Sequence, residues 1–238
     1  MTDPLRSGLE DLLELQDVDL AIDRLLHQRQ TLPELAAYQE LGGVRDQVAA
    51  KLAERQAVLR QYELDLDKAE GELQILENKL GESETRLFAG GMSGRETEQK
   101  RLEVQALRGQ QATMESRVLE LIEVVDPLRE EAKDLHQQVD GHNQQLAAYE
   151  AEISGAWAEI DSQIARREVT KSELAKPITP DLMILYEQLR RSKQGVAVGR
   201  LTGGICGGCH LSLSLPEQTE AADWDPPRCI HCMRLLVL

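Results

Sequence analysis

A heptad repeat runs through most of this chain and limits what it can fold into. Apolar residues alternate at spacings of three and four over residues 48–87 and 107–160, with a shorter stretch over 15–32. Each of the two longer segments exceeds the three or four heptads that indicate a coiled coil. Glu, Gln, Leu, Arg and Ala dominate these segments, and aromatic residues make up only 3% of the chain. This composition is typical of long helices and argues against one large globular core.

A glycine-rich segment, residues 89–96, separates the two long repeats. Three glycines within five residues indicate a chain reversal, and Ser93 or Thr97 is expected to cap the returning helix. The arms on the two sides are nearly equal, which favours pairing within the chain because a hairpin closes at a lower entropic cost. We therefore predict a mostly α fold, with a long antiparallel coiled-coil hairpin over residues 1–176. The expected oligomeric state is a monomer or a homodimer of two such hairpins.

Several residues interrupt the repeat. Pro33 and the Gly42–Gly43 pair lie between the first two stretches, where we expect a kink or a short break. Pro127 lies inside the second arm and predicts a bend near Val124, through which the seam continues.

Four cysteines, the only ones in the chain, form two Cys-x-x-Cys pairs. The pairs are Cys206–Cys209 and Cys229–Cys232. Two residues between paired thiols allow both sulfurs to bind one tetrahedral ion, and two such pairs fill its coordination shell. A filled shell leaves no position for water, so we expect one structural Zn²⁺ rather than a catalytic one. His210 and His231 flank the cysteines and are alternative ligands.

Disulfides and a redox-active pair are the other interpretations of these cysteines. Disulfides are typical of short secreted domains, whereas the first residues here are polar and do not resemble a signal peptide. A thioredoxin-like pair is expected in a βαβ unit, which the surrounding sequence does not predict. Zinc is therefore favoured, in a cytoplasmic protein. No apolar run reaches the roughly 18 residues of a membrane span, so no membrane association is expected.

Residues 177–238 differ in composition and predict a second, smaller domain. Thr179 is the expected N-cap of a short helix that begins at Pro180. Strands are predicted at 196–201 and 234–238, next to the two cysteine pairs, which together describe a zinc ribbon. A module this small has little core of its own, so zinc is expected to supply on the order of 10 kcal/mol of its folding free energy.

The net charge of −15 lies entirely in residues 1–176, because residues 177–238 carry six basic and six acidic side chains. Acidic arms repel nucleic-acid phosphates, so any nucleic-acid contact is expected at local basic clusters or in the C-terminal module. The candidate partner-binding residues are Phe88, Met92 and Arg95 at the tip, and Arg190, Arg191, Lys193 and Arg200 beside the ribbon. The sequence has no Ser-His-Asp set, phosphate-binding Gly loop or His-Glu-x-x-His motif, so we do not expect an enzyme.

Four segments carry a resemblance to a bacterial family: Leu182–Arg190, Val196–Val198, Cys206–Leu211 and Cys232–Leu236. Over nearly its whole length the chain resembles proteins with a long coiled-coil hairpin and a C-terminal C4-type zinc ribbon, long described as a domain of unknown function. The resemblance implies the four cysteines as zinc ligands. The second knuckle departs from the usual Cys-Pro-x-Cys-Gly pattern, because Met233 stands in place of the glycine and is expected to strain the turn.

Better-understood relatives in that family look like adaptors that bind sigma factor 54, flagellar or secretion components and, in one case, a flagellin messenger RNA. The resemblance implies a non-enzymatic, zinc-binding adaptor that presents its tip and ribbon to a protein partner, with RNA as a further candidate. The alternative is a transcription regulator that inserts a hairpin into RNA polymerase. Such regulators act through paired acidic residues at the tip, and this tip has no Asp pair.

Overall fold

Three long helices account for most of residues 4–238, the part of the chain that the computed structural model describes, with side chains from Gly8 onward. The helices are α1 (Pro4–Gln30), α2 (Pro33–Phe88), α3 (Gly94–Ala175), α4 (Pro180–Ser192) and α5 (Leu215–Asp223). The strands are β1 (Val198–Thr202), β2 (Ile205–Cys206) and β3 (Leu235–Val237). The predicted architecture is confirmed: α2 and α3 form a coiled-coil hairpin, and a small C-terminal ribbon follows. Within the described residues, no helix is both long and apolar enough to cross a membrane.

The chain folds into two compact units. One consists of the described residues up to Ala36 together with Glu150–Leu238, and the other is Ala37–Tyr149. The composition predicted a domain boundary near residue 177, where the long helices end and the ribbon-containing part begins. Packing instead groups α1 and the last part of α3 with the ribbon.

In the unit 37–149, the heptad residues of α2 and α3 pack against each other as a seam. Two of its clusters are Leu52 with Ala132 and Leu135, and Leu80 with Val104 and Leu107. Two polar residues within the repeat, Arg55 and Ser83, have partners on α3. Arg55 Nε lies 3.2 Å from Glu131 Oε1. The buried Ser83 hydroxyl donates a 3.3 Å hydrogen bond to Glu103.

The helices are interrupted less than the sequence predicted. The break before Pro33 is confirmed, because α1 ends at Gln30 and α2 begins at Pro33. No break occurs at Gly42–Gly43, since α2 continues through both residues. Each glycine costs a helix interior about 1 kcal/mol relative to alanine, a cost that packing of the long helix outweighs. α3 also continues through Pro127, and the fully buried Val125 keeps the seam intact there.

The ribbon is a three-stranded sheet in the order β2-β1-β3. β1 and β2 form the antiparallel hairpin that leads into the first cysteine pair, with Leu201 opposite Cys206. β3 lies parallel to β1, with Val198 opposite Leu235, and this pairing brings the second cysteine pair beside the first.

The core of the ribbon-containing unit is shared between α1, α4 and the sheet. Leu9, Leu12 and Leu15 form one apolar face of α1. This face packs against residues of α4, β1 and β3, namely Leu182, Tyr186, Leu189, Val198, Leu235 and Val237. The ribbon therefore does not rely on its own few apolar residues, because α1 and α4 complete its core.

Candidate metal centre and partner surfaces

The four cysteines converge on one point. Their Sγ atoms all lie within 4.8 Å of one another, and none of the four forms a disulfide. Cys209 Sγ and Cys229 Sγ are 3.9 Å apart, close to the S···S distance of about 3.8 Å that a tetrahedral ion with 2.3 Å Zn–S bonds requires. Among the described residues, no histidine joins this set of candidate ligand atoms, so the alternative ligands His210 and His231 lie outside it. The arrangement can hold one tetrahedral metal ion.

The two knuckles share one backbone pattern. In the first, the amide N–H of His210 donates to Cys206 O at 2.8 Å. In the second, the N–H of Met233 donates to Cys229 O, also at 2.8 Å. Equivalent turns place the sulfurs equivalently, so each pair supplies half of a tetrahedral shell.

Both turns end in a left-handed residue. His210 has a φ of 61° and Met233 a φ of 60°. This conformation costs a residue with a side chain roughly 1–2 kcal/mol. The strain predicted at Met233 is therefore located in the backbone. The first knuckle carries the same feature at His210, where no strain was predicted.

Three of the thiols have shifted pKa values. Burial raises the pKa of Cys206 to about 12 and also raises the pKa of Cys229. Burial opposes ionisation of Cys232 as well, but hydrogen bonds from Arg234 and from neighbouring thiols lower its pKa. The two buried thiols are protonated at neutral pH without a cation, so a bound metal ion must displace their protons. Thiolates grouped in this way are the ligands of zinc and other thiophilic metals.

Glycines allow the first knuckle to pack tightly against its neighbours. A Cβ on Gly199 of β1 would lie 2.6 Å from the backbone nitrogen of Gly208, so strand and knuckle are in direct contact. A Cβ on Gly208 would lie 2.6 Å from Arg234 Cδ. The Arg234 side chain crosses the knuckle at this point and donates from Nε to Val196 O at 2.7 Å. These contacts fix the position of the first pair relative to the second.

Helix α5 fills the spacer between the knuckles and was not among the predicted elements. The backbone N–H of Ser214 donates to Glu217 Oε2 at 2.7 Å, as in a capping box. Leu213 and Ala221 are buried against Cys206 and Cys229. A local signal was present, because Ser-Leu-Pro-Glu combines a capping box with a proline in the first helical turn.

A side chain of α1 holds strand β1 by its backbone. The buried Gln16 accepts hydrogen bonds at Oε1 from the N–H groups of Ala197 and Val198, at 2.6 and 2.8 Å. Its Nε2 donates to Val198 O at 3.0 Å. Gln16 thus satisfies three backbone groups as a neighbouring strand would. We call this contact the Gln16 clamp.

Asp19, also on α1, is a fully buried acid with three partners. The hydroxyl of Tyr186 donates to Asp19 Oδ2 at 2.6 Å, and Lys171 Nζ lies 2.8 Å from Oδ1. Arg190 lies beside it and donates to Asp23 at 2.8 Å. Burial and the adjacent carboxylate raise the pKa of Tyr186, so the phenol stays a proton donor. This cluster joins α1, α3 and α4.

The acids of α1 occupy part of the predicted basic surface beside the ribbon. Arg190 is engaged by Asp19 and Asp23. Arg200 is likewise paired with Glu10, the shorter of two hydrogen bonds being to Glu10 Oε2. Arg191 is exposed and Lys193 half-buried, so the free basic surface is smaller than the sequence predicted.

The predicted tip residues lie at the turn of the hairpin. Phe88, the last residue of α2, is 79% exposed. Met92 is half-buried and Arg95 is exposed. Ser93 caps α3 together with Glu96, which confirms the cap predicted there; Ser93 N donates to Glu96 Oε2 at 2.8 Å.

A coiled-coil hairpin followed by a four-cysteine ribbon defines the class of this protein. The model of the CT398-like coiled coil hairpin domain matches residues 15–194. The chain therefore belongs to the CT398-like coiled-coil hairpin family.

Three relatives illustrate the similarity. The uncharacterized protein Rv2229c of Mycobacterium tuberculosis is 25% identical over 229 residues, which cover 95% of this chain and 93% of that protein. A structurally characterised protein from Mycobacterium smegmatis superposes with a TM-score of 0.80 at 23% identity, over 98% of each chain. CT398 from Chlamydia trachomatis superposes with a TM-score of 0.66 at 18% identity, also over 98% of each chain. These structural similarities establish the shared fold.

Proposed function

We propose that this protein is a cytoplasmic, non-enzymatic adaptor that binds one structural Zn²⁺ and presents its hairpin tip and ribbon to macromolecular partners. The observation that carries the proposal is Phe88, a large apolar side chain left 79% exposed at the turn of the hairpin. Removing so much aromatic surface from water would stabilise a complex, and aromatic residues are enriched at protein interfaces.

The charges around the tip support a protein partner with acidic groups. Arg101 and Arg108 are neutralised by Glu98 and Glu84. Arg86 and Arg95, by contrast, form no ion pair within the described part of the chain. An exposed aromatic ring with unpaired guanidinium groups suits an acidic segment that also carries an apolar side chain.

The metal site supports a structural role for zinc. Four cysteines fill a tetrahedral shell, and a filled shell leaves no position for substrate or activated water. Free thiols in a chain of this length also fit a reducing compartment. Zinc would then maintain the surface of the ribbon, where Ile205, Leu211 and Leu215 are exposed.

RNA and RNA polymerase are the other candidate partners. Arg190 and Arg200 are already paired with acids, which weakens the case for a phosphate-binding surface. At the tip, Glu96 hydrogen-bonds the cap at Ser93 and Glu98 pairs with Arg101, so neither acid is free to act inside a polymerase. A protein partner is therefore preferred.

The metal part of the proposal is tested by native mass spectrometry with metal analysis, before and after a strong chelator. We expect one zinc per chain. Its removal, or Cys232→Ser, should abolish protection of the ribbon amides from hydrogen exchange and leave most of the helical circular dichroism. A ribbon that stays protected without metal would contradict a structural zinc.

The adaptor part is tested by site-specific photocrosslinking in the producing cell. A photoreactive phenylalanine analogue is placed at position 88 or, as a control, at the exposed Leu119 of α3, which is 61% exposed. Discrete crosslinked proteins are expected at position 88 and not at 119, and Arg86→Glu with Arg95→Glu should reduce them. Equal crosslinking at both positions would refute a binding tip, and crosslinks to RNA would favour the nucleic-acid alternative.

A further inference from the structure

The four cysteines of the cluster differ in their exposure to solvent. Cys206 and Cys229, the first cysteine of each knuckle, are 0% exposed. Cys209 and Cys232, the second cysteine of each knuckle, are half-buried. Exposure and thiolate character together decide which cysteines react with an oxidant. A small oxidant therefore reaches the cluster from the side of Cys209 and Cys232.

Cys209 has a partner sulfur in the other knuckle. Its Sγ atom lies 3.9 Å from Cys229 Sγ. A disulfide bond is about 2.05 Å long, so a combined movement of about 2 Å brings the two sulfurs into bonding distance. Cysteine ligands of a metal ion are thiolates, which is the form that reacts with a peroxide. An accessible thiolate with a second sulfur beside it is the arrangement found at reversible redox cysteines.

We propose that hydrogen peroxide converts Cys209 and Cys229 into a reversible disulfide, which replaces zinc as the link between the knuckles. The Cys209 thiolate attacks one peroxide oxygen, so an S–O bond forms, the O–O bond breaks and hydroxide leaves. The Cys229 thiolate then attacks the Cys209 sulfur, so an S–S bond forms, the S–O bond breaks and a second hydroxide leaves. The two sulfurs together lose two electrons, and the peroxide gains them.

The disulfide removes two of the four metal ligands. Only Cys206 and Cys232 remain as thiols, and two thiolates are too few for a structural zinc site, which takes four ligands. Formation of the disulfide therefore releases the metal. Reduction of the disulfide restores all four ligands, so the change is reversible.

The ribbon is expected to stay folded in the oxidised form. Cys206 and Cys229 share a small core with Leu213, Ala221 and Leu236, which come from both sides of the spacer and from the spacer itself. Because the two bonded sulfurs are already neighbours, the disulfide holds the ends of this spacer together as the metal does. The switch rests on the zinc binding proposed above. It lets the ribbon keep the surface that it presents to partners when peroxide removes its metal.

Peroxide treatment of the full, zinc-loaded chain tests the switch, with a colorimetric indicator to follow the released zinc. Release of one zinc per chain is expected, and a dithiol with added Zn²⁺ should reverse it. Trypsin then locates the bond, because cleavage after Arg200, Arg228 and Arg234 separates the two cysteine pairs into peptides 201–228 and 229–234. Once the remaining thiols are alkylated, a digest without reductant should yield these two peptides joined.

Two matched variants keep four ligands, because shells of three cysteines and one histidine also bind zinc. Cys209→His removes the sulfur that reacts first and should slow zinc release at least about tenfold. Cys232→His alters the other half-buried ligand and keeps Cys209 and Cys229, so its release should match that of the unaltered chain. Native mass spectrometry shows whether both variants hold zinc before peroxide is added. If either does not, the tryptic map of the unaltered chain decides alone.

Hydrogen exchange separates the oxidised chain from a reduced chain without metal. The ribbon amides should stay protected after peroxide, whereas they should lose protection after chelation with a reductant present. The proposal is overturned if zinc stays bound in peroxide, if the two tryptic peptides separate, or if Cys232→His slows release as much as Cys209→His. A chain isolated without zinc would refute the structural zinc itself, and the switch with it.

Discussion

Replacing Gln16 by alanine is expected to loosen the ribbon from helix α1. The substitution removes the Gln16 clamp, with its three hydrogen bonds of 2.6, 2.8 and 3.0 Å. The groups left behind are two N–H donors and one carbonyl of Ala197 and Val198, residues that are 0% and 1% exposed. Without Gln16, these backbone groups have no partner in the neighbouring helix.

The expected loss follows from the cost of each stranded group. A neutral hydrogen bond contributes about 1 kcal/mol net, and a buried group left without a partner costs about 1–3 kcal/mol. Three such groups give a loss of about 3–9 kcal/mol in the free energy of unfolding. That is a large share of the roughly 5–15 kcal/mol that a domain has.

Urea unfolding followed by tryptophan fluorescence measures this loss, with zinc present throughout. The only two tryptophans, Trp157 and Trp224, both lie in the ribbon-containing unit. Hydrogen exchange of a peptide covering residues 196–201 should show lost protection at the same time. The control is Gln163→Ala, which removes an exposed hydrogen bond to Glu159 and should cost under about 0.5 kcal/mol. Equal losses for Gln16→Ala and Gln163→Ala would refute the reasoning.

Three further predictions concern single side chains. Met233→Gly should stabilise the zinc-bound ribbon by about 1 kcal/mol, because glycine adopts the φ of 60° found here without strain. A chelator should then remove zinc less readily, and easier removal would contradict the strain at Met233. Tyr186→Phe should lower the free energy of unfolding by about 2 kcal/mol, since the hydroxyl bonds the buried Asp19 carboxylate, and an unchanged value in urea would contradict this. Hydrogen bonds from the Ser93 backbone and hydroxyl lower the pKa of the Glu96 carboxyl in the folded protein. The cap is therefore complete above the pKa that Glu96 has in the unfolded chain, and it is lost as the pH falls through the lowered pKa of the folded protein. NMR of the Ser93 amide should follow that titration, and Glu96→Gln should abolish it.

The features that local sequence determines could be predicted. The hairpin follows from heptads that repeat within each helix, and the cysteine cluster follows from the spacing within each pair. The start of α4 at Pro180 after Thr179 is likewise a local signal, and the structure confirms it. The expected break falls before Pro33 and not at Gly42–Gly43, because the local preference of glycine for ending a helix yields to packing along the whole length of α2.

The features that depend on distant partners could not be predicted. Gln16 and Asp19 are polar residues in an apolar repeat, and their partners Val198 and Tyr186 lie 182 and 167 residues away. Nothing near them in the sequence distinguishes a buried clamp from an exposed helix face. The pairing of Arg190 with the acids of α1 was missed for the same reason, because a basic cluster in sequence does not reveal which acids fold back onto it.

The Gln16 clamp also has a consequence for synthesis on the ribosome. Residues 16 and 198 are separated by 182 positions, so at about 5–20 residues per second the first waits roughly ten to forty seconds for the second. During this interval the apolar face of α1, with Leu9, Leu12 and Leu15, has emerged without the strands that cover it. The nascent chain therefore carries an exposed, leucine-rich helix that a chaperone can bind, and its release is coupled to the appearance of the ribbon.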